Sequence, residues 1–361
     1  MIYFWSIIGL AGLVVVLCPA LVLIHFYCRH TKPLVYKTCP GFIKKPQLGP
    51  YYVSVKRKLA DYYPLDGQGG LLARHAPTGE WYYDPLTNAH RALGHYEVFV
   101  QTSDPRSRQE FLRWANNLKA HGRLREDGAM VWEYHIRDYA GQKTPWLHAM
   151  AQGQVIMVMC RAFQETQEQE FLNLALAASR PFLLDVSEGG VRSTDPYRGV
   201  FYEEYAYHEE NKQHHTLNGM MSALMGLHDL WKVSREPWVR KLFDEGTQTI
   251  RRNLTAYDFP FCSSYDLRHE HGQPLPYFQS RYNSVHVTHL RILAAMTDDP
   301  FFALVAERWN QKLRDPFNRL CLTAWYPRFK LQDLRKEIRL TGSLSKVVAN
   351  NLFRLGKRLT R

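Results

Sequence analysis

Helical periodicity dominates the chain from Pro85 onward. In the first such segment, Ala89, Ala92, Leu93 and Tyr96 recur at three- and four-residue intervals and form one apolar face. Further segments of the same kind follow at residues 107–120, 149–166, 168–182, 214–233, 237–254, 283–297 and 300–314, separated by short connections. Paired helices with few strands predict a mainly α fold of the (α/α) toroid or barrel type, although periodicity alone does not distinguish a toroid from an irregular bundle.

The N-terminal residues 1–28 have a different composition. From Ile2 to Tyr27 the sequence is apolar and carries no charged side chain, and a helix of this length would span about 39 Å. No basic region precedes the run, which therefore favours one uncleaved transmembrane helix over a signal peptide. Basic residues then follow closely, at Arg29, Lys32, Lys37, Lys44 and Lys45. By the positive-inside rule we expect a single-pass membrane protein whose body lies on the cytoplasmic side.

The remaining sequence divides into four parts. Residues 29–50 are rich in Pro, Gly and Lys and predict a linker. Residues 51–84 hold short aromatic runs between turn signals and predict a small β-hairpin element. We expect residues 85–318 to form the helical domain, which is also the candidate for any catalytic function, and residues 319–361 to form a basic C-terminal segment.

The C-terminal segment contributes most of the formal net charge of +12, since residues 319–361 carry eleven Lys and Arg against Asp333 and Glu337. Apolar side chains fall on one side of it at helical spacing, at Leu344, Val347, Val348, Leu352, Leu355 and Leu359. This pattern predicts a basic amphipathic helix that contacts anionic membrane lipid, with a solvated cationic tail as the alternative. Because the charge is local, we expect no nucleic-acid partner.

Two tyrosine motifs are the most informative about function. Tyr205 ends the sequence FYEEY, twelve residues before LNG at 217–219, and Tyr265 begins the sequence YDLRH. A tyrosine buried beside a carboxylate or an arginine can have its pKa moved from about 10 toward working pH, which makes it a usable proton carrier. Two such tyrosines could serve the two faces of one carbon.

Two further segments accompany the tyrosines. Residues 145–154, PWLHAMAQGQ, place small residues and two glutamines at a helix start, where a ligand can approach or helices can pack closely. Residues 281–289, RYNSVHVTH, place His286 and His289 three apart, and Arg268 and Arg281 are potential clamps for a carboxylate. The chain has no HExxH, no CxxC, no P-loop and no GxGxxG after a strand, so we expect neither a metal nor a cofactor.

Taken in order, these segments resemble the C-terminal catalytic domain of the D-glucuronyl C5-epimerases, which convert D-glucuronate to L-iduronate in heparosan and heparan sulfate. The resemblance runs from about Trp81 to Trp309. It implies a short β-hairpin element on an (α/α) barrel, a homodimer, and an anionic glucuronate-containing polysaccharide as the partner. The β-sandwich that precedes the helical domain in animal members has no counterpart of sufficient length here.

The resemblance also implies the site residues. Tyr205, Tyr265 and Glu204 would be catalytic, and Tyr282 would join them. The residues implied or expected to bind substrate are Tyr83, Ala149, Met150, Gln152, Asn218, Arg268, Arg281, His286, Thr288 and His289. The chain departs from the family at two places: Val285 stands where the family has a tyrosine, with Tyr282 as the nearest candidate, and Asp84 stands where the family's hairpin has a tyrosine before proline.

The implied reaction needs a proton removed from C5 on one face of the sugar and another delivered on the opposite face, with donors that stabilise the enediolate. A uronate polysaccharide lyase begins with the same proton abstraction and is the nearest alternative. A glycoside hydrolase would need two carboxylates, which Glu203, Glu204 and Asp266 could supply. An inactive membrane-tethered glycan-binding protein would rest on the Val285 and Asp84 departures. A polymer outside the cell would require the opposite topology from the one that the charges favour.

Overall fold

The computed structural model describes residues 24, 27–28, 31–137, 144–206, 213–271 and 276–349. Most of the predicted transmembrane anchor at 1–28 therefore lies outside the described residues. In the parts that are described, no helix is both long and apolar enough to cross a membrane. The C-terminal residues 350–361 also lie outside the described part.

Four helical hairpins and one long C-terminal helix make up the described body. The helices are α1 (Pro85–Thr102), α2 (Pro105–His121), α3 (Ala149–Thr166), α4 (Gln169–Ser179), α5 (Leu217–Ser234), α6 (Pro237–Asn253), α7 (Ser280–Thr297), α8 (Pro300–Arg314) and α9 (Pro316–Thr341). Each odd-numbered helix from α1 to α7 packs against the helix that follows it. The structure therefore has the predicted paired helices.

The four hairpin turns share one design. In each turn a single residue takes the left-handed conformation and ends the first helix: Ser103, Gln167, Arg235 and Asp298 have φ between 56° and 61°. An acidic residue follows each of them, and in three of the four turns a proline then occupies the first position of the next helix. The carboxylate of Asp104, for example, accepts hydrogen bonds from the N–H groups of Arg106 and Ser107.

The first helices of the hairpins form an inner layer, in which α1 packs on α3, α3 on α5 and α5 on α7. The crossing of α3 and α5 is close because small residues meet there. A Cβ atom at Gly153 would lie 2.7 Å from the Ala223 Cα, and one at Gly226 would lie 2.2 Å from the Gly153 carbonyl oxygen. Helix packing thus accounts for the small residues in the 145–154 motif.

Residues 31–60 cover the side of the inner layer between α7 and α1. The N–H of Leu34 donates to the Ser284 hydroxyl on α7 at 2.9 Å, and Glu97 on α1 accepts from the Ser54 hydroxyl at 2.6 Å. In the interior, the Arg161 guanidinium pairs with Asp229 at 2.7 Å and donates to the Gly49 carbonyl at 2.8 Å. The described part of the segment predicted as a linker, residues 31–50, therefore packs on the body and satisfies buried polar groups there.

Short two-stranded ribbons complete the described fold. They pair β1 (Leu72–Arg74) with β2 (Trp81–Tyr83), β3 (Arg123–Leu124) with β4 (Met130–Val131), and β5 (Arg192–Asp195) with β6 (Gly199–Tyr202). All three are antiparallel. The first lies within the predicted hairpin element at 51–84. The third leads directly into the Glu203-Glu204-Tyr205 sequence.

The C-terminal helix α9 begins at Pro316, close to the predicted boundary at residue 318, and ends at Gly342, which takes the left-handed conformation with φ 64°. Residues 344–349 are again helical. The inner face of α9 packs beside a small cluster that contains Cys262, Phe278 and Leu322, and the Trp325 ring lies against this cluster. The helix thus covers α8 and the segment that precedes α7.

Candidate active site

The N-terminal ends of the four inner helices meet at one end of the barrel. Asp84 caps α1 and accepts a hydrogen bond from Tyr134, and His148 caps α3 and faces Glu204. The first turn of α5 carries Asn218, which donates to Glu204, and the first turn of α7 carries Tyr282. Because helix N-termini bear partial positive charge, four of them pointing to one place favour an anionic ligand there.

Glu204 is the centre of this cluster. Its carboxylate accepts hydrogen bonds from the Tyr265 hydroxyl at 2.8 Å and from the Asn218 Nδ2 at 3.3 Å. Burial raises the pKa of Glu204 from its ordinary 4.5 to about 7, and the hydrogen bonds from Tyr265 and Tyr205 limit the rise. A buried carboxylate that titrates near neutral pH can both accept and release a proton.

Gly219 explains why Glu204 fits. A Cβ atom at this position would lie 2.2 Å from the Glu204 Oε2 and 2.6 Å from its Cβ. The glycine of the LNG motif therefore makes room for the carboxylate, while the preceding Asn218 binds it. In the part of the chain that the structure describes, the buried Asn218 Oδ1 has no hydrogen-bond partner, so it remains available to a ligand hydroxyl.

The two predicted proton carriers lie side by side. The Tyr205 and Tyr265 hydroxyl oxygens are 3.4 Å apart. Burial and then the charge of Glu204 raise the pKa of Tyr265 well above its ordinary value, so Tyr265 is protonated and donates to Glu204. Groups on opposite faces of one carbon each need about 3 Å to that carbon, so their oxygens would be about 6 Å apart. The Tyr205 and Tyr265 hydroxyls lie closer together than this separation.

Tyr282 joins the cluster from α7. Its ring centroid lies 4.3 Å from that of Tyr265. Val285 follows one helical turn later on the same face of α7, so the displaced tyrosine needs no shift of register to reach the site. The side chain of Tyr282 thus forms the outer wall beside Tyr265.

Glu203 has a different role from its neighbour. It is fully buried, accepts a hydrogen bond from the Ser193 hydroxyl at 2.5 Å, and contacts the His215 Nδ1 at 2.7 Å. The carbonyl of Glu203 also accepts from the N–H of Ala149 at 3.0 Å. Glu203 therefore fixes the backbone that presents Glu204, and it lies behind the cluster.

Sequence reasoning missed His148. Burial lowers the pKa of His148 to about 3, so the ring is neutral. Its Nδ1 accepts from the Ala151 N–H at 3.4 Å, which places the ring proton on Nε2, 3.7 Å from the Glu204 Oε1. His148 lies inside the PWLHAMAQGQ segment, in which the sequence predicts only Ala149, Met150 and Gln152 as substrate-binding residues.

A second phenol–carboxylate pair was also missed. The Tyr134 hydroxyl donates to the Asp84 Oδ1 at 2.7 Å, and burial raises the pKa of Tyr134 well above its ordinary value. The Tyr134 ring stacks on Trp146 with centroids 4.6 Å apart and lies 5.4 Å from His148. Tyr205 contacts the same two rings, at 5.7 Å from each. The two pairs, Tyr265 with Glu204 and Tyr134 with Asp84, are thus joined through one aromatic wall.

Several residues expected to bind substrate hold the fold together. The buried Gln152 amide donates to the carbonyls of Met130 and Ala178. His286 contacts the Ser263 hydroxyl at 2.8 Å, and burial lowers its pKa to about 3. The Thr288 hydroxyl donates to the Ser284 carbonyl.

Others lie closer to the cluster. Burial lowers the pKa of His289 to about 4, and its ring bonds to the backbone of Asn218. The Arg268 Nε pairs with Asp266 at 2.6 Å, and the charge of Asp266 contributes to the raised pKa of Glu204. Met150, in the first turn of α3, is partly exposed beside the buried Ala149.

Arg281 and Tyr83 point elsewhere. Arg281 is exposed and forms a hydrogen bond with Tyr36. Tyr83 stacks on His121 with ring centroids 4.1 Å apart, whereas its neighbour Tyr82 lies 6.1 Å from Tyr134. Side chains alternate along a strand, so only Tyr82 reaches the aromatic wall. Both tyrosines line a cavity of about 270 Å³, together with His121, Arg123, Val131, Glu133 and His135.

No group of three or more His, Cys, Asp or Glu side chains is placed to hold a metal ion within the described residues. The histidines and glutamates of the polar run at 207–212 lie outside that part.

The comparisons with known proteins concern the same region. Residues 126–311 match the family model described as D-glucuronyl C5-epimerase C-terminus. The chain is 30% identical over 177 residues to the D-glucuronyl C5-epimerase of Caenorhabditis elegans, an alignment that covers 45% of this chain and 28% of the worm protein. It is 22% identical over 184 residues to an uncharacterized protein of Methanocaldococcus jannaschii, covering 50% of this chain and 58% of that one. The chain thus spans less than two thirds of the length of either relative.

Among solved structures, the cellobiose 2-epimerase from Bacillus thermoamylovorans superposes with a TM-score of 0.50 at 11% identity, covering 71% of this chain and 67% of the other. This likeness supports the (α/α) toroid architecture.

Proposed function

Because the chain belongs to the D-glucuronyl C5-epimerase family, we propose that it inverts C5 of D-glucuronate to give L-iduronate within a heparosan- or heparan-type polysaccharide. The observation that supports this most directly is Glu204, a buried carboxylate with a pKa of about 7 that binds a tyrosine hydroxyl and lies where four helix N-termini converge.

The helix ends address the first difficulty of the reaction. The C5 hydrogen lies α to the sugar carboxylate, and its removal creates an enediolate with additional negative charge. That charge must be stabilised by donors already in place. The N-terminal dipoles of α1, α3, α5 and α7 and the Nε2–H of His148 supply such donors.

Proton removal is assigned to Glu204 and Tyr265 acting together. Tyr265 is protonated at rest and its proton points to Glu204, so it can accept the C5 proton only as it passes its own proton to the carboxylate. Tyr205, 3.4 Å from Tyr265, holds the same network in place. Tyr282 packs on Tyr265 and orients its ring.

Delivery from the opposite face requires a second group, for which we propose Tyr134. It forms its own pair with Asp84, and both its ring and that of Tyr205 contact the rings of Trp146 and His148. In the forward direction the Tyr134 hydroxyl turns from Asp84 and gives its proton to C5. Tyr134 then recovers a proton from solvent, and Glu204 releases to solvent the proton that it received from Tyr265. This assignment gives a catalytic partner to Asp84, the residue that replaces the family's hairpin tyrosine.

The substrate contacts are proposed from the same geometry. Asn218 would bind a sugar hydroxyl through its Oδ1, and Arg268 would lie near the sugar carboxylate. The cavity of about 270 Å³ beside Tyr82 is large enough for a neighbouring sugar unit.

Incubation of the full chain with heparosan in deuterated water tests the proposal. Deuterium at C5 together with iduronate signals in the NMR spectrum is the expected result. An unsaturated chromophore and shorter chains would instead identify a lyase, and shorter saturated chains would identify a hydrolase. Absence of both deuterium and iduronate on every uronate polymer offered would refute the assignment. Glu204→Gln is the inactive control.

A further inference from the structure

Eight of the fifteen exposed large apolar side chains in the described residues lie in two parts of the chain that the active site does not use, residues 24–35 and 317–348. Isolated apolar residues on a surface are ordinary, but a group of them indicates an interaction site. The members, each at least 47% exposed, are Ile24, Leu34, Val35, Phe317, Leu320, Leu331, Leu344 and Val348.

Helix α9 carries the longest part of this group. Six of its exposed residues recur at intervals of three and four and so lie on one face: Phe317, Leu320, Ala324, Arg328, Leu331 and Arg335. The opposite face contains the buried Leu322 and Thr323, which pack toward the body. The outward face therefore combines large apolar side chains with arginines.

The N-terminal residues contact α9 on the side opposite this face, since Arg319 follows Phe317 by two positions and lies about 200° round the helix from it. The Arg319 guanidinium donates to the Thr31 hydroxyl at 3.2 Å and to the Tyr27 carbonyl at 3.3 Å, and it lies 4.3 Å from the centre of the Tyr27 ring. Leu34 and Val35 share a cavity of about 360 Å³ with Arg314 at the end of α8. We call the exposed stripe of α9 the α9 surface.

We propose that the α9 surface docks on an anionic phospholipid bilayer and thereby fixes the orientation of the barrel to the membrane. The chain that continues upstream of Tyr27 is apolar and uncharged back to Ile2, and Arg319 holds its point of entry against α9. Residues 314–349 carry eight Lys and Arg against three Asp and Glu, which matches anionic headgroups.

The charge pattern also distinguishes a bilayer from a second copy of the chain. A symmetric dimer through this face would bring Arg328 and Arg335 of both copies into one interface. Like charges brought together oppose association. Apolar side chains interleaved with arginines instead suit an interface where the apolar groups enter the acyl region and the cations remain at the headgroups.

The test is photocrosslinking of the full chain in vesicles of phosphatidylcholine with a minority of phosphatidylglycerol. The photoreactive p-benzoylphenylalanine replaces Phe317 or Leu331, and in the control it replaces Tyr197, which is 92% exposed in the β5–β6 turn. All three side chains are exposed, so the replacements should not disturb folding. Lipid adducts are identified by mass after the vesicles have been floated.

Lipid adducts at positions 317 and 331 but not at 197 are the expected result. A single Arg328→Gln change should lower the adduct yield at 317 about fivefold, and vesicles of phosphatidylcholine alone should lower it further. The proposal is overturned by chains that float without an adduct at 317, by equal yields at 197, or by a protein–protein adduct of twice the chain mass in place of the lipid adduct. Because no activity is measured, the result is independent of the proposed epimerase function.

Discussion

Replacement of Glu204 by glutamine should make the protein more stable above neutral pH while removing its activity. Burial holds the pKa of Glu204 near 7, against 4.5 for an ordinary glutamate. Since the folded state then binds the proton more tightly than the unfolded state, this residue contributes stability that is fully present below pH 4.5 and is lost as pH rises through about 7.

The difference between these two pKa values corresponds to about 3 kcal/mol between acidic and alkaline conditions. The amide of the Glu204→Gln variant does not titrate, so the variant should gain about that amount relative to the parent between pH 4.5 and about pH 8. The free energy of unfolding should also differ by an amount that does not depend on pH, because the NH2 group of glutamine and the Asn218 Nδ2 are both donors and cannot bond to each other. This amount is the same at both pH values and cancels when the two differences are compared.

The measurement is the free energy of unfolding in urea, for both proteins, at several pH values in one detergent. A stability difference between variant and parent that does not change with pH would refute the placement of a buried, titrating carboxylate at 204. Glu203→Gln is the matched control: it replaces one of the two carboxylate oxygens that accept from Ser193 and His215 by an NH2 donor and removes the charge, so it should destabilise the protein and leave the pH dependence contributed by Glu204 intact. The activity profile gives a second readout, since kcat/KM of the parent should rise with an apparent pKa of about 7.

The other predictions concern the groups around this carboxylate. Tyr265→Phe should lower kcat by about 10²- to 10⁴-fold. It should also move the acid limb of the pH profile to higher pH, because the hydrogen bond that it removes holds the Glu204 pKa down. Tyr282→Phe, which keeps the ring contact with Tyr265, should lower kcat by less than about tenfold. Tyr134→Phe should retain deuterium exchange at C5 of glucuronate, measured by NMR, but form little iduronate; loss of exchange and inversion together would place Tyr134 on the same face as Glu204. Gly219→Ala should destabilise the fold by about 1–3 kcal/mol in urea unfolding, because its Cβ would overlap the Glu204 carboxylate, and an unchanged midpoint would contradict that contact.

The helical hairpins could be predicted because their cause is local. Apolar periodicity and the acidic residue at each turn are readable within a window of about eighteen residues. The errors fall at boundaries: the helix predicted from residue 214 begins at Leu217, since the preceding residues bring His215 to the Glu203 carboxylate. The segment predicted as a linker at 29–50 packs on the barrel. This packing could not be predicted locally, because its partners, Gln164 and Arg161 among them, are more than a hundred residues away in the sequence.

The composition of the site could be predicted only in part, because many of its contacts also join residues that are far apart in the sequence. Resemblance brought Glu204, Tyr265 and Asn218 together, and the structure places them in contact. Tyr134 and Asp84 form a pair across fifty residues, between segments without any shared pattern, so no sequence signal joined them. His148 caps a helix through one ring nitrogen, a role that many polar residues fill. Only the structure shows that its second ring nitrogen faces the Glu204 carboxylate.

The geometry also changes what the two tyrosine motifs mean. An epimerase needs two proton-transfer groups separated by a sugar ring, and the positions of tyrosines along a sequence carry no information about which hydroxyls share a carboxylate. Tyr205 and Tyr265 share Glu204 and therefore act as one unit, while Asp84, which looked like the loss of a catalytic tyrosine, orients the hydroxyl of Tyr134. In the proposed mechanism the departure at Asp84 preserves the chemistry, because a phenol from another segment, that of Tyr134, bonds to this residue. On this reasoning, Asp84→Asn should impair inversion more than exchange, as Tyr134→Phe should, because both changes affect the group proposed for the second face.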